Sequence, residues 1–416
     1  MVNSVGAARA YLDHAATTVL RPAAREALLE ASATPGNPSS THATGRRARA
    51  VLDDALESIS EQLGVPRSWL IMTSGGTEAD NLAVRGAATG ILAAEPSRTA
   101  VAVAATDHPA VVATARSLAP ALEARMLPVD GQGMLRSEGV EAALADGAVG
   151  LLSAALVNNE TGAMQDPAAL AAQARPHGTI VHTDAVQALG HGAALGHGAD
   201  LGHGAALGHG SAGAFPFWSW DDLDLMTLSG HKIGAPVGVG ALVAKPDVPF
   251  GPVSTGGGQQ REVRSGTLDL ALAAAFAAAL RETLSDRDQE IRRLRALAER
   301  LRRGIHEIDP TARFTLAEDT PRSAHIVHVV FPGAHSDSLL FLLDERGIDA
   351  SAGSACSAGV TQASPVLAAM GIDDATARGA LRLSLGWTST DHDVDLLLRA
   401  LPDTLEKARA VGALLG

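Results

Sequence analysis

The single cysteine of the chain, Cys356, lies in Ser351-Ala352-Gly353-Ser354-Ala355-Cys356-Ser357-Ala358-Gly359, a run of small residues with too little apolar bulk for a packed core. Structural cysteines are usually buried among large apolar groups, so a thiol in this setting reads as an accessible nucleophile. Lys232 is equally out of place. It follows the apolar run Leu225 to Leu228 within Ser229-Gly230-His231-Lys232-Ile233-Gly234. A lysine there is either a surface turn residue or an amine whose pKa the site lowers from about 10.4 so that it can form a Schiff base.

Three further segments could serve such an amine. Thr73-Ser74-Gly75-Gly76-Thr77-Glu78-Ala79-Asp80-Asn81-Leu82 follows an apolar run and opens a helical pattern. Its small residues leave backbone N–H groups free to cradle a phosphate, although an ordinary helix N-cap would look the same. The run Thr179 to Thr183 ends at Asp184, with Gln187 following. A carboxylate there is a turn residue or the partner of a protonated ring nitrogen, the group that keeps the pyridinium of pyridoxal 5'-phosphate (PLP) electron-withdrawing. In Ala380 to Leu385 the leucines alternate with Arg382 and Ser384. Arg382 is thus a surface strand residue or a fork for a substrate carboxylate.

The elements that would carry these groups read as an α/β architecture. Short Val-, Ile- and Leu-rich runs alternate with Ala- and Leu-rich helical stretches, the pattern of a mostly parallel sheet. Candidate strands are Leu70 to Thr73, Ala100 to Ala105, Gly150 to Val157, Thr179 to Thr183, Leu225 to Leu228 and Val239 to Ala244. In parallel sheets ligands sit beyond the carboxyl ends of the strands, where the segments above begin. After residue 269 the texture changes to a long charged helix, Arg281 to Ile308, and shorter pieces. The expected division is a large domain over 15–269 and a smaller α+β domain made of 1–14 plus 270–416.

Composition bounds the function. With 416 residues, 46% of them hydrophobic, the chain can bury two cores. A formal charge of −13 argues against nucleic-acid or anionic-membrane partners. One cysteine excludes an intramolecular disulfide and any multi-cysteine metal site, and suits a reducing cytoplasm. Met1 to Tyr11 does not read as a secretory signal, and the apolar run Leu270 to Leu280 is well short of the ~20 residues that span a bilayer. A low-complexity insertion, residues 188–210, repeats a six-residue unit that spaces His191, His197, His203 and His209 evenly. That spacing converges four imidazoles on neither a helix face nor a strand edge, so a solvated loop is expected and no metal site is assigned.

Taken together, and running in order from Tyr11-Leu12-Asp13-His14-Ala15-Ala16-Thr17-Thr18 to Arg382-Leu383-Ser384-Leu385-Gly386, these motifs resemble the cysteine desulfurases. These are PLP enzymes of the class V aminotransferase group with the aspartate aminotransferase-like fold, fold type I. The resemblance implies that Gly76 and Thr77 bind the cofactor phosphate with Ser229 and His231, and that Lys232 holds the cofactor covalently. His108 would stack on the ring and shuttle protons, serving also to deprotonate the thiol. Asp184 would pair with the ring nitrogen and Gln187 with the phenolic oxygen. Asn159, in Val157-Asn158-Asn159-Glu160-Thr161-Gly162, and Arg382 would hold the substrate carboxylate.

The same resemblance implies a homodimer in which Thr267 reaches the neighbouring subunit's phosphate. It also implies L-cysteine as substrate and a persulfide on Cys356. The residues around Cys356 look like the branch with a long cysteine loop, which delivers sulfur to a protein acceptor such as an iron–sulfur scaffold or a tRNA thiolation enzyme. Gln260 and Trp387 depart from the family pattern but touch no assigned role. A selenocysteine lyase, a cysteine-sulfinate desulfinase and a non-catalytic sulfur-relay subunit share the fold and stand as alternatives.

Overall fold

The computed structural model describes residues 9–189, 193–194, 220–353 and 364–415. Seven strands form the main sheet: β1 (Leu70–Thr73), β2 (Ala100–Ala104), β3 (Glu123–Leu127), β4 (Val149–Ser153), β5 (Ile180–Asp184), β6 (Leu225–Ser229) and β7 (Gly240–Ala244). Their order is β1-β7-β6-β5-β4-β2-β3, and every pairing is parallel except the two made by β7. Helices cover both faces. For that reason β1, β2, β4, β6 and β7 are buried at every position and read as unbroken apolar runs rather than alternating ones. Because β7 runs opposite to both of its neighbours, β1 ends on the same edge of the sheet as β2, β4, β5 and β6. That shared edge gathers the functional segments.

The strand expected over Gly150 to Val157 is shorter, Val149–Ser153, and the chain from Ala154 onward runs along the carboxyl edge instead. The expected helix Arg281 to Ile308 is two helices, Leu270–Ser285 and Arg287–Ile308, separated at Asp286. The first packs with the large domain: Ala273, Phe276 and Leu280 join Leu56, Ile59 and Leu63 in one core. A run of alanines there lets the backbone lie close against Pro22–Ser32 and Ala43–Leu63. By packing, the boundary drawn at residue 269 falls near Asp286.

The smaller core is built on an antiparallel sheet of β8 (Arg313–Phe314), β9 (Ile326–Val330) and β10 (Ala380–Ser384), in that order. Arg287–Ile308, Ser336–Asp344 and Asp391–Leu415 pack on it, burying Leu294, Leu301, Phe331, Leu383 and Leu397. The N-terminal segment joins this lobe. Ala10–Tyr11 pairs in parallel with Ile348–Asp349, and Leu12 is fully buried in the small core. The chain then passes into the large lobe, so Asp13 to Thr18 lie at the junction of the two.

Of the histidine-glycine insertion, Ala188 and Leu189 are buried in the large core rather than solvated. Ala193–Ala194 pair with Arg322–Ser323. His191, His197, His203 and His209 lie outside the described residues. Among those described, no helix is long and apolar enough to cross a membrane.

Candidate functional site

The turns after β1, β2, β4, β5 and β6 converge on one cleft of about 270 Å³. At one end Gly76 and Thr77 open a helix, directly after Gly75 with φ +150°. A Cβ on Gly76 would stand 2.9 Å from Val186 Cγ2, so glycine lets the backbone come this close to the turn after β5, with Ser229 of β6 alongside. Ser229 is buried, and among the described residues its Oγ has no hydrogen-bond partner. A buried hydroxyl without a partner is costly, and an anion held against the Gly76 and Thr77 amides would supply one. His231 Nδ1 lies 3.1 Å from Thr17 Oγ1, and burial pushes its pKa down to about 4, so the imidazole is neutral.

The floor of the cleft carries more buried acid than its sequence announces. Asp184 sits at the end of β5 with Oδ1 accepting from Val186 N at 2.8 Å, and burial raises its pKa. Asp80, 1% exposed, also lines the cleft; burial and the neighbouring Asp184 charge push it well above the usual carboxylate range. Beside them Asp107 accepts from Ala155 N at 2.7 Å, and burial pushes it up to about 8. His182 offers no counter-charge, since full burial holds it neutral with a pKa of about 3. A cationic ring beside Asp184 would therefore favour the ionised carboxylate that burial alone disfavours. Neither Asp80 nor Asp107 stands out in the sequence, because an acid beside a helix start looks like a cap.

Lys232 stands across from these acids. Its Nζ donates to Ala15 O at 2.6 Å and Ala16 O at 2.7 Å. Burial, aided by the Arg382 charge, pushes its pKa down to about 8. Two groups converge on one carbonyl here, for Gln187 Nε2 also donates to Ala15 O, at 2.8 Å, while its Oε1 lies 3.2 Å from His325 Nε2. The N-terminal Ala15-Ala16 peptide thereby holds both side chains in place.

His108 caps the helix Pro109–Arg116, its Nδ1 accepting from Ala110 N at 3.1 Å. That bond leaves the proton of the neutral ring on Nε2. Burial lowers the pKa further from the cationic state. His108 can therefore offer a hydrogen bond from Nε2; taking a proton at Nδ1, the role expected toward the thiol, would cost the cap bond.

Asn159 lines the cleft, and its carbonyl accepts from Arg382 Nη1 at 2.8 Å. Arg382, on β10, is buried and pairs through Nη2 with Asp13 Oδ1 at 2.7 Å. Its alternation is as expected, with Leu381, Leu383 and Leu385 in the small core and Arg382 turned to the junction. Among the described residues its Nε has no partner, which leaves the fork a buried donor that a carboxylate can satisfy. Asp13, which no sequence argument singled out, fixes one arm of that fork.

Of the expected residues, Thr267 and Arg382 are not among those lining this cleft, Arg382 standing beside it on the Asn159 carbonyl. Thr267 lines a separate hollow of about 470 Å³ with Arg49, Arg67 and Gln260. Cys356 lies outside the described residues; the chain is followed to Gly353 and again from Ser364.

The sequence profile of the Aminotransferase class-V family matches residues 10–195 and 220–397. An "IscS-like cysteine desulfurase" of Mycobacterium tuberculosis is 41% identical over 404 residues, 96% of this chain and 97% of the relative. Among solved structures, a "NifS-like protein" superposes with a TM-score of 0.79 at 26% identity, covering 98% of this chain and 100% of the other. A structure titled "SspA in complex with cysteine" gives 0.70 at 26% identity, covering 90% and 98%. With this profile spanning both lobes and a relative of that identity along nearly its whole length, the chain belongs to the class-V aminotransferase family and, within it, to the cysteine desulfurases.

Proposed function

We infer that the chain converts L-cysteine to L-alanine with PLP as cofactor and passes the sulfur to Cys356 as a persulfide. The observation that carries this is the convergence on one cleft of an amine, a buried carboxylate and an anion cradle, with a guanidinium beside it. The fit to PLP rests on the partnerless Ser229 hydroxyl, the close approach at Gly76 and the excess of buried acid at Asp184. Gly76, Thr77, Ser229 and His231 would hold the phosphate, Asp184 the ring nitrogen, Gln187 the phenolic oxygen, and Lys232 the carbonyl carbon. When bound, PLP supplies an electron sink that acidifies the substrate α-proton and loosens its carbon–sulfur bond.

The chain's own residues do the rest. Arg382 and the Asn159 side bind and orient the carboxylate of cysteine. Lys232, once free, takes the α-proton with an amine already depressed to about 8. His108 lines the cleft as a neutral hydrogen-bond donor through Nε2–H. Cys356 thiolate attacks the substrate sulfur; an S–S bond forms, the C–S bond breaks, and the carbon is protonated to complete alanine. One cysteine plus one enzyme thiol thus yields one alanine plus one persulfide.

The test is mass spectrometry of the peptide containing Cys356 after brief exposure to L-cysteine. One added sulfur is expected, and alanine formation without it would favour desulfination or another thiol-independent lyase.

Lys232 also gives a pH signature. Its lowered pKa means the amine is protonated below about 8 and free above it. Capture of PLP by the cofactor-free chain should therefore quicken about tenfold per pH unit up to pH ~8 and then level off. A rate still climbing at pH 10, followed by visible absorbance, would mean that the amine is not desolvated.

The chain works as a cytoplasmic homodimer on this reading. That Thr267 faces a hollow other than its own cleft supports a role for it in the twin subunit's site. The sulfur acceptor is a protein, an iron–sulfur scaffold or a tRNA thiolation enzyme.

A further inference from the structure

We propose that Glu160 is a positioning residue that ties the far end of the segment carrying Cys356, at Ser364, to the peptide forming the substrate-carboxylate site, whose Arg382 holds the near end. The proposal rests on the desulfurase reading above and deepens it. Glu160 directly follows Asn159, whose carbonyl grips Arg382. It is 5% exposed, and its backbone is fixed by Asn158, whose Oδ1 accepts from Glu160 N at 3.0 Å while its Nδ2 donates to Thr106 O at 2.9 Å. A carboxylate so buried and so anchored needs partners. Among the described residues its partner is Ser364, at the far edge of the cysteine segment.

On the far edge, Ser364 Oγ donates to Glu160 Oε2 at 2.5 Å and accepts from Leu367 N at 3.1 Å, so one hydroxyl both grips the acid and caps the helix Pro365–Ala369. On the near edge, Ser351 pairs with Arg382 through both backbone hydrogen bonds, at 3.2 and 2.6 Å. Gly353 then takes φ +93°, and a Cβ there would stand 3.5 Å from Glu160 Oε2 and 3.4 Å from His328 Nε2. His328 is 2% exposed, bonded through Nδ1 to Thr315 Oγ1 at 2.6 Å, and among the described residues its Nε2 has no partner. Gly353 thus lies beside both Glu160 and His328.

Cys356 comes three residues after Gly353. Where a tethered thiol can reach depends on where its tether is fastened, and the probability of attack depends on that placement. Here Arg382 holds the near stem by its backbone and the substrate by its side chain. The Asn159–Glu160 peptide likewise holds Arg382 with its carbonyl and the far stem with the following side chain. Both stems of the segment are thereby fastened to the same anchor as the substrate-carboxylate site.

Two variants separate this from a role in folding: Ser364→Ala, which removes the hydroxyl, and Glu160→Gln, which keeps the shape and reduces a charge-assisted hydrogen bond to a neutral one. Each is expected to slow single-turnover sulfur loading of the Cys356 peptide about tenfold. The absorbance change on adding L-cysteine should keep its parental half-saturation. Ser364→Thr, which retains the hydroxyl, should restore the loading rate. Parental loading in both variants overturns the proposal, and so does an equal loss of cysteine binding and loading. If the unmodified chain adds no sulfur to Cys356, the desulfurase reading falls and takes this proposal with it; loading in the parent but no deficit in the variants sinks the proposal alone.

Discussion

Replacing Lys232 by alanine is expected to leave a folded protein that takes up PLP without covalent capture and forms alanine from L-cysteine at least about a thousandfold more slowly. The magnitude follows from the two tasks assigned to one amine. It captures the cofactor, and it moves the α-proton, a step worth about 10² to 10⁴ when a positioned base performs it. Folding should survive, because Lys232 Nζ gives up only bonds to the Ala15 and Ala16 carbonyls at an edge open to solvent, where water can replace it. Lys232→Arg should fail equally. It keeps the positive charge beside Asp184 and Asp13, but a guanidinium is not deprotonated near neutral pH and cannot serve as a nucleophile or base. Added methylamine should partly rescue the alanine variant and leave the arginine variant unchanged. The measurements are visible absorbance after borohydride treatment and alanine release; full activity in either variant would dismiss Lys232 from both tasks.

How such a site could be read from a one-dimensional string has a physical basis. Helices on both faces of a parallel sheet force its strands to be apolar throughout, so β1, β2, β4 and β6 stand out as uninterrupted runs. Parallel pairing then forces their carboxyl ends onto one edge. Residues immediately after those runs must meet, however far apart they lie in sequence, and Gly76, His108, Asp184 and Lys232 do.

Other features depend on contacts that local pattern does not encode. Leu270–Ser285 is apolar enough for either core, and only its alanines packing on Pro22–Ser32 and Ala43–Leu63 assign it to the large one. Asp13 acquires its meaning from Arg382, far away along the chain, and Glu160 from Ser364. Asp80 and Asp107 are ordinary acids until burial beside Asp184 raises their pKa values. His108 was legible as a ring in the site, but its tautomer is decided by one amide, Ala110 N, two positions on.

Arg382→Lys is expected to raise KM for L-cysteine about a hundredfold while kcat changes by no more than about threefold. The substitution keeps a cation opposite Asp13, so a buried charge is not stranded and the small lobe should fold. What it removes is the fork. Arg382 divides its donors among Asp13, the Asn159 carbonyl and a buried Nε without a partner among the described residues, and no single ammonium can reach all three directions. A carboxylate bound there is held equally before and during reaction, because the carboxylate takes no part in the bond changes; its loss therefore appears in KM. Cysteamine, which is cysteine without the carboxylate, isolates the effect. The parent should strongly prefer L-cysteine, and Arg382→Lys should shrink that preference about a hundredfold by losing cysteine alone. If the variant loses cysteamine turnover in the same proportion, Arg382 acts through the structure of the junction and not through the substrate carboxylate.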